Sequence, residues 1–533
     1  NYPLMQPFEN YFQLAPTPPA KILVVYQTDA CTTGDLYFST ISDAVMNAND
    51  NDTIIVCPGT YKENVVVNKS VKILSYSQKP ADTIVKANNS DDHIFNVTAD
   101  NVYISGFTVT GAIGYYYPKA GIYLYNSNNS KIENVNASNN GHGIFLWYSS
   151  NNTIANNTAS NNDVAIHLRF SSNNTITNNT ASNNGMGIFL CDSSNTHNCI
   201  FNNDILSNPY VGIYVMGSEN QIYSNKVSGS TTGVSLYYAD NNTISNNDVR
   251  DTYQHNIALG SSNKNTITNN YLGKSHWGIQ LYSNSCDNVI SENIIEEAWN
   301  GIELFQRSNR NIIFSNVISE GLNGIVVQEI ENTIICKNKI LNNKYHGIYL
   351  SSYASANIIF LNDLIDNGDN ALSSNSTNIW NSTEPITYTY NGSQYTNFLG
   401  NYWSDYTGSD ADGDGIGDTP YIIDGDKDEY PLMKPFEHYF APDEPKVSVS
   451  TDKYEYRAGD VMLINITFEN PTDERKSVKF LWRLDIHDYN LSFKVINNKS
   501  LLLPPEFKKT FVISWRLPKW KASFNASWYV ALY

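Results

Sequence analysis

Four aspartates near the end of the chain have the spacing of a calcium-binding loop. They occupy alternate positions and then the ninth position of one glycine-rich segment: Asp410, Asp412, Asp414 and Asp418. Carboxylate oxygens are the ligands that Ca²⁺ prefers, and glycines allow the sharp bends of such a loop. The segment departs from an EF-hand because its twelfth position is Tyr421 instead of Glu. The sequence predicts a structural calcium site, with an acidic turn that binds no ion as the alternative.

Two other groups of residues could carry hydrolytic or lytic chemistry, which needs converging carboxylates or a base. His142 stands between Gly141 and Gly143, which superficially matches a motif of pectin hydrolases, but the paired aspartates expected beside it are missing. Glu297 and Glu320 each follow a repeated isoleucine by seven residues, so they should stack in adjacent repeats. A solvated acidic edge with surface salt bridges explains that pair better than an active site does. The sequence therefore favours a protein without a catalytic site.

A repeat of about 22 residues positions His142, Glu297 and Glu320. Eleven isoleucines mark it at spacings of 22 to 24, and Asn follows three places later in ten of the eleven copies. The isoleucines are Ile132, Ile154, Ile176, Ile200, Ile222, Ile244, Ile267, Ile290, Ile313, Ile335 and Ile359. A fixed period of this length indicates one supersecondary unit stacked on itself. The Asn column predicts a ladder in which each side-chain amide bonds the same amide one turn along.

The second half of each repeat shows which kind of solenoid this is. Nine of eleven copies carry a glycine followed by alternating aliphatic residues, as in Gly143-Ile144-Phe145-Leu146. Alternation with period two over a short segment is typical of a β-strand. Twenty-two residues are too few for two helices and a turn, so the pattern predicts an all-β fold built on a parallel β-helix.

Composition divides the chain into four parts. Residues 1–20 end in a proline-rich linker and read as the tail of a preceding module. Residues 21–374 form the β-helix with an N-terminal cap, in which Ile41, Ala44, Val45 and Ala48 make one face of a capping helix. Residues 375–441 form a closing module with the Asp-rich loop. Residues 442–533 have longer, antiparallel-type strands, which predict a C-terminal Ig-like β-sandwich.

Several segments resemble a known family. The units Asn-Asn-Thr-Ile-x-Asn-Asn at 151–157, 173–179 and 241–247, and the opening Asp52-Thr53-Ile54-Ile55-Val56, resemble the NosD-like periplasmic copper-binding repeat family. This resemblance implies a right-handed, pectin-lyase-like β-helix over residues 35–440. The segment from Gly400 to Tyr406 is similar to the closing module of archaeal cell-surface versions. Such β-helices include lyases, hydrolases, adhesins and inert surface coats, so the resemblance fixes no activity.

The copper in the family's name is not expected here. His142, His255 and His346 occupy equivalent repeat positions but lie several repeats apart, so they cannot share a metal. The chain has only six methionines and no cluster of Met and His for a soft ion. We therefore expect calcium and no copper.

Cysteines and sequons fit an oxidising, extracellular setting. Two pairs are candidate disulfides: Cys31 with Cys57, and Cys191 with Cys199. Sequons outside the regular repeat are candidate glycosylation sites: Asn68, Asn96, Asn381, Asn391, Asn465 and Asn525. The 34 basic and 52 acidic residues give a net charge of −18, which argues against nucleic acid and anionic membranes as partners. No apolar run approaches the length of a membrane span, so membrane insertion is not expected.

An aromatic strip is the candidate interface. One outward position carries an aromatic ring or His in five consecutive repeats, with Trp147 beside them: Tyr123, Phe145, His167, Phe189 and Tyr214. The insertion at 115–117 is expected above it. We expect an exposed apolar strip that contacts other copies of the chain, or glycans by stacking. A loop folded over the strip is the alternative.

A duplicated segment also points to assembly. Residues 2–12 recur almost unchanged at 430–440, which suggests tandem modules or docking onto another copy. The sequence thus favours a non-enzymatic structural subunit of an extracellular surface layer, sheath or filament that self-assembles into a polymeric array. The alternative is a carbohydrate-binding or carbohydrate-cleaving β-helix.

Overall fold

A computed structural model describes residues 19–114, 119–351, 353–440, 445–453, 456–457, 459–470, 472, 475–486, 491–505, 507–517 and 526–532 of the 533-residue chain. These residues form two compact units. The β-helix unit holds the described residues up to Glu384 together with Phe398–Ala411 and Ile416–Met433. The C-terminal unit holds Pro385–Asn397, Asp412–Gly415 and the described residues from Lys434 onward.

The β-helix unit is a parallel solenoid of about 14 turns, and each regular turn contributes one strand to each of three sheets. Sheet 1 contains Ile22–Val25, Leu36–Phe38, Thr53–Val56, Lys72–Ser75, Tyr103–Ser105, Lys131–Glu133, Thr153–Ala155, Thr175–Thr177, Cys199–Phe201, Gln221–Tyr223, Thr243–Ser245, Thr266–Thr268, Val289–Ser291, Ile312–Phe314, Ile334–Cys336, Ser355–Phe360 and Thr377–Ile379. Sheet 2 contains Gly59–Lys62, Thr83–Lys86, Thr108–Thr110, Asn136–Ala137, Thr158–Ser160, Thr180–Ser182, Asp204–Leu206, Lys226–Ser228, Asp248–Arg250, Tyr271–Leu272, Ile294–Glu296, Val317–Ser319, Lys339–Leu341, Asp363–Ile365 and Tyr402–Trp403. Sheet 3 contains Val65–Val67, Phe95–Val97, Ala120–Tyr125, His142–Trp147, Val164–Arg169, Met186–Leu190, Val211–Val215, Thr232–Tyr237, His255–Gly260, Ser275–Tyr282, Ala298–Leu304, Asn323–Gln328, His346–Ser351 and Asp369–Ser373.

The apolar columns of the sequence form the core, because the strands pair in register. Ile132 pairs with Ile154 and Ile154 with Ile176, and all three side chains are fully buried. The aliphatic residues that follow the repeat glycines line the same interior from sheet 3. The predicted parallel β-helix is confirmed.

Amide ladders run along the corners of the solenoid. The predicted column forms ten consecutive bonds from Nδ2 to the next Oδ1, each 2.9–3.0 Å long. Its members are Asn157, Asn179, Asn203, Asn225, Asn247, Asn270, Asn293, Asn316, Asn338, Asn362 and Asn401. A second ladder from Asn174 to Asn311 precedes the strands of sheet 1, and a shorter one from Asn162 to Asn208 precedes those of sheet 3. The ladder prediction is confirmed for the first column, and two further ladders were not predicted.

The repeat glycine is required by the close approach of neighbouring turns. A Cβ atom added to Gly187 would lie 2.4 Å from the carbonyl oxygen of Gly212 and 2.6 Å from Cγ2 of Ile205. Both contacts are far shorter than van der Waals separation, so a larger residue here would push adjacent turns apart.

A short helix and a hairpin lie near the two ends of the solenoid. The helix Ile41–Asn47 buries Ile41, Ala44 and Val45 in the same core as the first strands. A 3₁₀ turn spans Pro80–Asp82, and the strands Tyr421–Ile423 and Asp426–Asp428 form an antiparallel hairpin. The helix has the predicted position, and its role as a cap stays a prediction.

A buried carboxylate ends the first ladder. Asn362 donates to Asn401, whose backbone N–H donates to Oδ2 of Asp428 at 2.7 Å. The indole of Trp403 donates to the same oxygen at 2.9 Å. Burial raises the pKa of Asp428 to about 7, against hydrogen bonds from Asn401, Trp403 and the N–H of Tyr430.

The C-terminal unit contains antiparallel strands. A hairpin joins Ile386–Tyr390 to Ser393–Asn397, and a 3₁₀ turn spans Phe436–Tyr439. One three-stranded sheet contains Lys446–Thr451, Val461–Asn470 and Phe507–Arg516, and another contains Leu491–Leu503, Lys476–Ile486 and Ala526–Leu532. Ile464 and Ile466 of the first sheet share a buried cluster with Phe480 and Trp482 of the second. The Ig-like assignment stays a prediction.

In the part of the chain that the structure describes, no helix is long and apolar enough to cross a membrane.

Candidate functional site

The outer face of sheet 3 carries the predicted aromatic strip. Its rings lie at directly paired strand positions, and neighbouring ring centroids are 4.3–5.2 Å apart from Tyr123 through Phe145, His167 and Phe189 to Tyr214. His93 extends the column by one turn, since it stacks on Tyr123 at 4.1 Å. Parallel strands in register repeat about every 4.8 Å, so flat rings at equivalent positions stack on one another.

Stacking changes how exposed this aromatic column is. Phe145 retains only 8% of its surface, and Tyr123, His167, Phe189 and Tyr214 are half-buried. The strip is therefore less exposed than the sequence led us to expect, because neighbouring rings cover part of one another. The exposed aromatic surface lies at the edge of the column, at Tyr125 and at Tyr148. The segment 115–117, which was expected above the column, lies outside the described residues.

Burial favours the neutral form of three histidines in this half of the sheet. Burial lowers the pKa of His93 to about 4, of His142 to about 4 and of His167 to about 3. The rings of His142 and His167 lie 4.9 Å apart, which the spacing of the histidines in the sequence did not predict. Arg169 places its guanidinium 5.2 Å from the ring of Trp147. This half of the sheet thus presents a largely aromatic surface with Arg169 and Lys119 close to it.

A second aromatic group, which the sequence analysis missed, lies further along sheet 3. His276 stacks on Trp299 at 3.8 Å and on the other side contacts Tyr253 at 5.0 Å. Trp277 stacks on His255 at 4.9 Å in the neighbouring column. The sequence did contain a signal for this group, because His276 and Trp299 each stand two residues before a repeat glycine and so occupy equivalent positions.

A polar row adjoins this second group. Gln280 donates from Nε2 to Oε2 of Glu303 at 2.7 Å, and Asn300 donates to Oε1 at 3.4 Å. Asn323 donates to Oδ1 of Asn300 at 2.9 Å. Burial raises the pKa of Glu303, although hydrogen bonds from Gln280 and Asn300 oppose that shift. The row holds one buried carboxyl group among amides.

The other carboxylates proposed for chemistry lie at exposed corners. Glu297 and Glu320 are exposed residues with positive φ, and the N–H of Glu297 donates to Ser319 of the next turn. They occupy adjacent turns as the repeat predicts. Their exposure is that of a solvated acidic edge.

The four aspartates of the predicted calcium loop are divided between the two units. Asp410 and Asp418 belong to the β-helix unit, whereas Asp412 and Asp414 belong to the C-terminal unit. Asp418 accepts hydrogen bonds on Oδ2 from the hydroxyl of Ser409 and the N–H of Ala411, both at 2.9 Å. In the C-terminal unit, the N–H of Asp414 lies 3.4 Å from Oδ1 of Asp412. Oxygen ligands of this kind fit Ca²⁺.

The two predicted cysteine pairs differ in the structure. Cys31 and Cys57 are joined by a disulfide. Cys191 and Cys199 are free thiols, so that predicted bridge is not formed. The physical reason is their placement: Cys199 begins a strand of sheet 1, whereas Cys191 follows a strand of sheet 3 and directs its Sγ to Nε2 of His167 at 3.1 Å.

The candidate glycosylation sites differ in accessibility. Asn68 and Asn391 are exposed, whereas Asn96, Asn381 and Asn465 are partly buried. Asn96 lies within a strand of sheet 3 with its Oδ1 buried, so it is a poor attachment point for a bulky glycan. Asn525 lies outside the described residues.

Comparison with known proteins identifies a family whose model matches most of the solenoid. The model of the family described as periplasmic copper-binding protein (NosD) matches residues 45–231 and 216–408. A cell surface glycoprotein of Methanothermus fervidus is 34% identical over 104 residues, which cover 19% of this chain and 16% of that protein. The match thus spans about a sixth of that relative's length.

The matches to solved structures are more distant. The A-module of the mannuronan C-5 epimerase AlgE6 of Azotobacter vinelandii is 15% identical, with coverage of 63% of this chain and 91% of that chain and a TM-score of 0.38. The catalytic unit of a thermostable GH87 α-1,3-glucanase from Streptomyces thermodiastaticus is 10% identical, with coverage of 64% and 65% and a TM-score of 0.39. Likeness at this level carries no argument about activity. The family model, in contrast, spans well over half of the chain, and the chain therefore belongs to the periplasmic copper-binding protein (NosD) family.

Proposed function

We propose that this protein is a non-enzymatic structural subunit of an extracellular surface layer, sheath or filament, which self-assembles with copies of itself. The observation that carries the proposal is the unbroken bonding along the solenoid. Ten successive Asn–Asn bonds run from Asn157 to Asn401. A surface layer needs this kind of stiffness over its whole length.

Each amide of the ladder fixes three parts of the coil. Asn247 donates from Nδ2 to Oδ1 of Asn270 and to the carbonyl of Ile222, and its Oδ1 accepts from the backbone N–H of Asn225. Bending one turn away from the next would break several buried hydrogen bonds together. Each such loss leaves buried polar groups unpaired and costs about 1–3 kcal/mol. The coil is therefore built to resist deformation.

The carboxylates of sheet 3 support a non-enzymatic role. On the strands of this sheet, the described acidic residues are Glu303 and Asp369, and three turns separate them. At about 4.8 Å per turn their separation is about 14 Å, which exceeds the ~5–9.5 Å of carboxylate pairs in glycoside hydrolases. The histidines of the aromatic column are buried among rings instead of being paired with a carboxylate.

An extracellular location is supported by the comparisons. One relative is named a cell surface glycoprotein, and the family is described as periplasmic. The exposed sequons at Asn68 and Asn391 and the Cys31–Cys57 disulfide fit such a setting. The net charge of −18 suits a hydrated, non-aggregating surface between specific contacts.

We also propose that Asp410, Asp412, Asp414 and Asp418 hold a structural calcium ion and that the protein takes no copper. Four carboxylates in nine residues repel one another strongly unless a cation offsets their charge. Addition of a chelator should speed proteolysis within residues 400–440 and leave the regular turns protected. Equal proteolysis with and without chelator would contradict calcium binding.

Assembly can be tested with the purified chain. Concentrated protein with calcium should form sheets, tubes or filaments that are visible by electron microscopy, because repeated contacts that do not close on themselves propagate. Replacing the exposed Tyr125 by Ser should reduce assembly, and the matched change Tyr76→Ser, at an exposed tyrosine outside sheet 3, should not. Protein that stays monomeric under all these conditions would contradict the proposal.

A further inference from the structure

The second aromatic group of sheet 3 is much more exposed than the first. Tyr253 retains 67% of its surface and Trp299 retains 54%, with His276 packed between them. In the first group, the stacked rings are half-buried or buried. A tryptophan left half exposed on a regular strand keeps a large apolar face in water, which is the usual state of a recognition surface.

The exposed rings are held in a fixed geometry. Trp299 and Glu303 lie on one strand, Ala298–Leu304, and His276 lies on the preceding strand of the sheet. Trp277 pairs directly with Asn300 across these strands, and Gln280 pairs directly with Glu303. Because the rings stand on consecutive turns of a rigid coil, a bound molecule meets a surface that is already organised.

Polar groups border the rings on one side. Asn300 and Asn323 are half-buried, and Asn300 bridges Asn323 to Glu303. Oδ1 of Asn323 is buried and accepts no hydrogen bond from any residue that the structure describes, so it is not open to a ligand. Each of these two half-buried amides has a second N–H besides the one that it donates within the row, and such a group suits a ligand that offers hydroxyl oxygens.

Charge restricts the class of ligand. The rings and the polar row contain His, Trp, Tyr, Asn and Gln with the single buried carboxyl of Glu303, and they include no Lys or Arg. Burial lowers the pKa of His255 in the neighbouring column, which disfavours a positive charge there. Nucleic acids and other polyanions require cationic side chains at their binding sites.

We propose that the surface formed by Tyr253, His276, Trp299, Asn300 and Asn323 binds a neutral saccharide chain. A sugar ring has an apolar C–H face, which stacks on exposed aromatic rings, and a rim of hydroxyls, which the adjacent amides hydrogen-bond. The surface binds without cleaving, since Glu303 has no second carboxylate on the adjacent strands of the sheet. This inference goes beyond the structural role proposed above and does not depend on assembly.

Calorimetric titration with defined hexasaccharides tests the proposal. The probes are maltohexaose, cellohexaose, laminarihexaose and mannohexaose, with hexagalacturonate as the anionic comparison. The intact chain should bind at least one neutral hexasaccharide with a Kd between about 10 μM and 1 mM. Trp299→Ala should weaken that binding about tenfold or more, the size of a lost ring-stacking contact.

A matched variant shows whether the effect is local. Tyr345 also precedes a repeat glycine by two residues and is 48% exposed, but it lies two turns away. Tyr345→Ala should leave the Kd unchanged, and Trp299→Phe should retain most of the affinity. If Trp299→Ala changes the melting temperature, Tyr253→Ala provides the same test at a more exposed ring.

Three results would overturn the proposal. The first is that no neutral hexasaccharide binds at about 5 mM, which is well above the expected Kd. The second is that Tyr345→Ala and Trp299→Ala lose affinity equally. The third is that hexagalacturonate binds more tightly than every neutral probe. Because binding is measured on dispersed protein, its failure would leave the assembly proposal standing, and failed assembly would leave saccharide binding standing.

Discussion

At the corners of the β-helix, two adjacent asparagines have different tasks. Asn246 is exposed and adopts a positive φ of 54°, a conformation that Asn tolerates better than most residues. Asn247 is buried and carries the ladder. The doublets recur because one residue turns the chain and the next bonds the turns together.

This division of tasks gives a matched pair of variants. Asn247→Leu should leave the neighbouring amides unpaired and destabilise the protein by about 1–3 kcal/mol. Asn246→Gly should change stability by less than about 0.5 kcal/mol, since Gly adopts a positive φ without strain. Urea unfolding followed by circular dichroism measures both. Equal midpoints for the two variants would place the stabilising role elsewhere.

Asp428 links stability to pH at the end of the first ladder. Burial raises its pKa to about 7, well above the value of 3.8 that an unperturbed Asp has. The folded state therefore binds this proton more tightly than the unfolded chain. The stabilisation from the protonated Asp428 is complete below about pH 4. It decreases as the pH rises towards 7, by up to about 1.4 kcal/mol per pH unit.

Asp428→Asn should remove that slope, because the amide does not titrate. Melting temperatures of the two proteins between pH 4 and 8 provide the comparison. The difference between them should change steadily up to about pH 7 and then level off. A difference that is independent of pH would mean that Asp428 titrates normally in the fold.

At the scale of elements, the repeat was sufficient to predict the coil. It predicted the surface of the coil only in part. Equivalent positions of a solenoid stack directly on one another, so the spacing of Ile and Gly along the sequence is enough to predict which residues are neighbours. The sequence could place Tyr123 and Phe145 in one column, but it could not show how far stacked rings cover each other. The free Cys191 was missed for the same reason, since its pairing depends on where a corner directs the side chain.

The aromatic column should consequently contribute to stability as well as to contacts. Phe145 lies between Tyr123 and His167 and is 8% exposed, so Phe145→Ser should destabilise the fold by about 2 kcal/mol or more. Tyr125→Ser, at a residue 39% exposed on the same strand, should cost less than about 0.5 kcal/mol. Thermal unfolding distinguishes the two. A stable Phe145→Ser protein would show that the column serves contacts alone.

At the scale of the molecule, the proposed structural role rests on the continuous bonding along the coil. The sequence could not predict features of the fold that depend on packing between segments distant in the chain. The hairpin Ile386–Tyr390 with Ser393–Asn397 belongs to the C-terminal unit, and a closing module over residues 375–441 stays a prediction. Local alternation identifies strands, but it does not show which neighbours they join.

The most direct test of the structural role is electron cryotomography of native cells, with gold-labelled antibodies against this chain. The proposed role predicts label on a periodic array at the cell surface, with one lattice spacing throughout. Calcium removal should loosen or dissolve that array. Label that is scattered without periodicity, or found only in the soluble fraction, would contradict a structural subunit and favour a soluble saccharide-binding protein.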